Sequence, residues 1–149
     1  MNLFNLFKKK PKFKDDLFGE LSYTTFKYPL KNFYDGSVEF HSQKIGIIID
    51  ADSQGPRQDQ KELFLQIRDS YQSLKNNTII PFLNKEIIEW MDGQTIQDFD
   101  SEFSIDAISI PFVIKKPAEW SITFYCETIS HYVTIDFSDF KPLHTQIDG

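Results

Sequence analysis

Asp50, Asp52, Gln54 and Gly55 stand in the order that opens a calcium loop, Asp-x-Asp-x-x-Gly. Such a loop closes on its cation with a bidentate Glu at the twelfth position. Counted from Asp50, that position is Lys61, whose charge opposes a bound cation. The segment therefore reads as a polar loop between a strand and a helix, with short side chains serving as turn and cap groups. Cys126 and His131 lie five residues apart across an expected tight turn. A thiolate–imidazole pair needs hydrogen-bond reach and a third, orienting group. The other reading is a small buried hydrophobe at Cys126 and a turn residue at His131. His41, His131 and His144 have none of the close spacing that marks a zinc site. The expectation is no catalytic residue, no metal ligand and no cofactor.

Two further groups suit binding better than catalysis. Asp98, Asp100, Glu102 and Asp106 form an acidic run around Phe99 and Phe103. It reads either as a solvated loop entering a strand or as an acidic, aromatic contact surface for a basic protein, since aromatic anchors within a charged rim favour protein interfaces. Trp90, off the centre of its helical stripe, faces a loop or a partner in the same reading. Asp98, Phe99, Asp100, Glu102, Phe103 and Trp90 are thus the expected partner-binding residues. The second group is the N-terminal tail. Residues 1–14 hold five lysines, Lys8, Lys9, Lys10, Lys12 and Lys14, and no acid. Leu3, Phe4, Leu6 and Phe7 would share one face of a short helical turn stopped by Pro11. The tail is either a disordered leader or a weak membrane contact, with Leu3, Phe4 and Phe7 entering the interface and Lys8, Lys9 and Lys10 meeting anionic headgroups.

The charge balance sharpens this division. Of 16 basic residues, those five sit in the tail, leaving eleven against 22 acids and a net of −11 on residues 15–149. An acidic body repels phosphate backbones, so no nucleic-acid partner is expected and a basic protein is favoured. Length and apolar content fit one soluble domain with a real core, supplied largely by 15 Phe, 6 Tyr and 2 Trp. One cysteine allows no internal disulfide and suits a reducing cytoplasm. The longest apolar runs, Ile45–Ile49 and Ile108–Ile114, are far below bilayer length.

The elements that must position these groups are an antiparallel sheet and a helical block. The domain begins at Asp15. Phe18–Phe26 and Ser37–His41 read as strands with a turn at Gly36, and Lys44–Asp50 as an Ile-rich strand covered on both faces. Gly55 caps a helix with Pro56 at its first position. Leu63, Phe64, Ile67, Tyr71 and Leu74 recur at helical spacing, Asn76-Asn77-Thr78 breaks the pattern, and Ile80, Leu83, Ile87, Ile88 and Met91 form a second stripe. Phe103–Ile114, Trp120–Glu127 and His131–Phe137 read as strands, and Phe140–Gly149 as a closing strand or a trailing end. The expected fold is α+β: an antiparallel sheet with a central block of one or two helices on one face, over residues 15–149, and residues 1–14 outside it.

Phe18-Gly19-Glu20-Leu21, a following β-meander, a helix beginning near Gln58 or Gln60, and two closing strands joined around Cys126–Tyr132 together resemble a family of small bacterial α+β domains of uncharacterised activity. The resemblance spans roughly residues 15–149. It implies the α+β fold, and it implies a role like that of immunity or accessory proteins of bacterial toxin systems. The chain departs from the family pattern at the last turn: Ile129 and Ser130 stand where members carry acids, and Tyr132 where they carry Gly.

Three classes of function follow, in this order. The first is a non-catalytic, immunity-like domain that covers a basic, toxin-like partner. The second is a peripheral protein at the inner face of the membrane, held through residues 1–14. The third is an enzyme of unknown type, ranked last because no activated nucleophile or carboxylate pair has a recognisable context.

Overall fold

In the computed structural model, which describes residues 9–112 and 115–149, eight strands form one sheet. Four of them, β1 (Lys12–Asp15), β2 (Gly19–Thr24), β3 (Phe33–Phe40) and β4 (Gln43–Asp50), pair antiparallel in chain order. So do β5 (Phe103–Ile110), β6 (Glu119–Cys126), β7 (His131–Ser138) and β8 (Lys141–Asp148). The halves meet where β4 and β5 run parallel, with Ile47 opposite Ile108. Parallel neighbours cannot be joined by a tight turn and need a crossover. Here the crossover contains one helical run of 29 residues, α1 (Gln58–Leu74) continuing through a π turn (Lys75–Ile79) into α2 (Ile80–Glu86). A short helix, α3 (Phe99–Glu102), leads into β5.

The α1 stripe is as the spacing predicts: Leu63, Phe64, Ile67, Tyr71 and Leu74 are all buried, in one core cluster with Phe18, Phe40, Ile47 and Ile108. Phe64 sits at the centre, its ring 5.2 Å from Phe18 and 6.1 Å from Phe40. The helix starts later than Gly55-Pro56 implies. Arg57 is the N-cap, and its N–H donates to Gln60 Oε1 at 2.9 Å. Gln60 is fully buried, and its Nε2 donates to the carbonyls of Asp50 and Pro111 at 2.7 and 2.6 Å. One side chain thus ties the helix start to the ends of both parallel strands. Gly55 keeps its importance for another reason. Its φ is +92°, and a Cβ there would collide with the Phe13 ring.

Several expectations are corrected. Asn76-Asn77-Thr78 does not break the helix. The wider π turn carries the chain to Pro81, which has no N–H to give an α-helical ladder. Gly36 is not a turn but lies inside β3 opposite Leu21, where a Cβ would stand 2.7 Å from Leu21 Cδ2. The Ile run of β4 is covered on one face only: Ile45, Ile47 and Ile49 are buried while Ile48 is exposed. Lys12, Phe13 and Lys14, assigned to the tail by composition, form β1 with Asp15, and Phe13 packs 5.3 Å from Tyr34. Edge strands commonly carry lysines, which discourage pairing with other chains.

Candidate functional site

The expected contact residues fall around the β6–β7 turn, at the strand ends where β5 begins. Asp98 precedes α3, which carries Phe99, Asp100 and Glu102, and Phe103 opens β5. The backbone carbonyl of Glu102 accepts from the N–H of Glu127, the first residue of the turn between β6 and β7. At the far side of that turn His131 pairs with Cys126 across the strands. The His131 ring lies 5.6 Å from the ring of Trp90, which follows α2 and is 53% exposed. Trp90 stands between Glu89 and Asp92, both exposed. One turn therefore links the acidic segment to the exposed tryptophan.

Within that surface the roles divide differently from the sequence expectation. Phe99 and Phe103 are not anchors for a partner. Both are buried, stacked on each other at 4.9 Å, with Phe99 edge-on to Phe124 at 5.5 Å. Asp100 is committed to Lys75, a buried lysine whose Nζ lies 2.8 and 2.9 Å from the two carboxylate oxygens. Glu102 caps its own segment, accepting from the N–H groups of Gln97 and Asp98 at 2.8 and 2.7 Å. Asp98 and Trp90 remain exposed and available. Asp100 also borders a cleft of about 340 Å³ with His41, Tyr71 and Lys75. Burial, with the nearby Asp100 charge, pushes the Tyr71 hydroxyl well above its ordinary value. His41 Nε2 donates to the Arg68 carbonyl at 2.5 Å, tying the two-residue β3–β4 turn to α1.

The chemical pairs weighed from the sequence are also located. Cys126 is buried, and desolvation raises its thiol above the ordinary range, which disfavours the reactive thiolate. His131 Nδ1 is 2.6 Å from the Ile129 carbonyl, and no hydrogen bond joins it to Cys126 among the described residues. Among those residues no three His, Cys, Asp or Glu side chains gather as a metal-binding group. The segment from Asp50 to Gly55 forms a loop in which Asp52 Oδ1 accepts from the Gln54 N–H at 2.9 Å. Leu3, Phe4, Phe7 and Lys8 lie outside the described residues, while Lys9 and Lys10 are exposed.

Sequence reasoning missed one polar row. Ser109, Ser121, Asp136 and His144 stand opposite one another on four successive strands and so share a face of the sheet. His144 Nε2 lies 2.8 Å from Asp136 Oδ2. The row lines a cleft of about 380 Å³ with Asp50 and Glu119, and burial raises the Asp50 carboxyl. No hydrogen bond links either serine to His144 among the described residues, so the row holds a carboxylate–imidazole pair without an activated hydroxyl. Its members are scattered from residue 50 to 144, and only the strand register brings them together.

No helix among the described residues is long and apolar enough to cross a membrane. Comparison with protein-family models, curated proteins and solved structures finds no match for the chain.

Proposed function

We propose that this chain is a non-catalytic binding domain, immunity-like in type, that works in the cytoplasm and covers a basic protein partner. The observation that carries this reading is the exposed Trp90, seated against His131 and joined through the β6–β7 turn to the acidic segment at Asp98. A large, half-exposed aromatic ring held in tilted contact with a neighbouring ring suits a binding hot spot. Acids around it speed the approach of a basic partner and set its orientation. In this reading the helical run covers one face of the sheet, and the turns at the strand ends are left to bind.

The test is affinity capture from the native cell with wild type, Trp90→Ala and Asp98→Lys side by side. A basic protein retained by wild type, and depleted by both substitutions, is the expected result. Asp100 and Glu102 are unsuitable for charge reversal because their loss would disturb Lys75 and the α3 turn. Capture of an acidic protein, equal capture by all three forms, or a catalytic activity abolished by His131→Ala contradicts the reading.

A further inference from the structure

The connection between β2 and β3 holds Leu30 and Tyr28, the two most exposed large apolar side chains among the described residues, at 84% and 65%, with Phe26 beside them at 49%. Lys27 and Lys31 alternate with them, and the chain enters the sheet alongside through Lys9 and Lys10, the latter 3.5 Å from Asp35. Pro11, at that entry, accepts from the Tyr23 N–H at 2.9 Å, so the entry and the loop leave the sheet together. Exposure here is built into the loop. A 3₁₀ turn (Pro29–Lys31) closes with the Lys31 N–H donating to the Tyr28 carbonyl at 3.0 Å. Asn32 then pins both sides of the loop: its Oδ1 accepts from the Phe26 N–H at 2.7 Å and its Nδ2 donates to the Tyr23 hydroxyl at 3.1 Å. Its carbonyl accepts from the Ala51 N–H at 3.2 Å. The loop backbone is thereby held in place, with the Phe26 ring 6.0 Å from that of Phe33 and with Tyr28 and Leu30 exposed.

We propose that this loop docks the protein on an anionic lipid surface. Leucine and aromatic rings are the side chains that enter the boundary between headgroups and acyl chains, and lysines beside them meet anionic headgroups. Three side chains projecting from one turn supply far less than the roughly 800 Å² that a stable protein interface takes from each partner. A lipid surface needs only such a wedge. The net charge of −6 is unevenly placed: at the loop's own strand ends Asp50 pairs with Phe33 and Asp35 offsets Lys10, so Lys27 and Lys31 carry the attraction. The acidic segment at Asp98 lies at the opposite strand ends, and an eight-residue strand such as β3 spans about 26 Å. That is well beyond the ~8 Å screening length of physiological salt. This surface is separate from Trp90, so the two can act together.

The test is co-sedimentation of the full chain with phosphatidylcholine vesicles, with and without phosphatidylserine. Wild type should pellet only with vesicles that contain phosphatidylserine, and less at high salt. Tyr28→Ser with Leu30→Ser, which leaves the charge unchanged, should abolish pelleting. Lys27→Ala with Lys31→Ala should weaken it by roughly tenfold or more. Trp90→Ala should pellet like wild type. A second readout does not depend on loss: an environment-sensitive dye on Leu30→Cys, with Cys126 buried, should shift to the blue on phosphatidylserine vesicles. Failure of wild type to pellet, pelleting by the double serine variant equal to wild type, or a dye emission that vesicles leave unchanged overturns the proposal.

Discussion

At the scale of single residues, several acids and lysines among the described residues have structural posts. Lys61 on α1 is the clearest case. Its Nζ is 2.8 Å from Asp15 Oδ2 and 2.5 Å from Asp16 Oδ1, and Asp15 is nearly buried. Hydrogen bonds that Lys61 donates to Asp15 and then Asp16 raise its ammonium above its ordinary value, and Lys61 lowers the exposed Asp16 carboxyl. The pH dependence has a defined sign. A raised lysine favours the folded state while the unfolded lysine is still protonated, so its contribution is complete below about pH 10.5. It is lost as pH rises through the folded value. Asp15→Asn removes the charge but keeps an Oδ1 acceptor for the Leu17 and Phe18 N–H groups, which Asp15 now caps at 2.9 and 3.0 Å. Urea unfolding should show the variant destabilised by about 1–2 kcal/mol at neutral pH, with the gap closing above pH ~10.5. A gap that is constant with pH would show that Lys61 is not the source. The same scale explains why the acidic run misled. Phe99 and Phe103 are flanked by Asp98, Asp100 and Glu102, so composition gives them to solvent. The one turn of α3 rotates both rings inward onto Phe124 while the carboxylates stay outside.

At the scale of elements, what was legible is what periodicity encodes. The α1 stripe and the alternation of β6 and β7 follow from side-chain spacing, whereas the end of the chain, left open between a closing strand and a trailing end, forms β8 with no buried residue to mark it. Three features have no local signature. The parallel pairing of β4 with β5 joins segments more than fifty residues apart. The π turn carries a sequence, Asn76-Asn77-Thr78, that locally reads as a break. Strand β1 offers one apolar residue, Phe13, between Lys12 and Lys14, too few for an alternation to register. The removable part of the N-terminus is accordingly shorter than its composition suggests. Deleting residues 1–14 removes most of β1 and uncovers the Phe13 contacts with Tyr34 and Gly55. Thermal melts should show a loss for this truncation relative to deletion of residues 1–8, on the order of 1–3 kcal/mol for a half-buried aromatic with its strand. Equal melting temperatures would mean that β1 adds nothing to the folded state.

At the scale of the whole molecule, the sheet separates two surfaces along the strand axis. The β2–β3 loop with Tyr28, Leu30, Lys27 and Lys31 stands at one set of strand ends. The acidic segment and Trp90 stand where β5 and β7 begin, at the other. The candidate site was only partly legible: Trp90 and Asp98 were named from the sequence, but the contact of His131 with Trp90 and the turn that joins them come from long-range pairing. In the proposed function, acids steer a basic partner and Trp90 holds it. Its most direct test is the association and dissociation kinetics of the captured partner, measured across salt for wild type and Trp90→Ala. The association rate should fall steeply with salt and be little changed by the substitution. The dissociation rate should rise about thirtyfold or more in Trp90→Ala, the equivalent of a hot spot of about 2 kcal/mol. An association rate indifferent to salt, together with a dissociation rate that Trp90→Ala leaves unchanged, would contradict the proposed function.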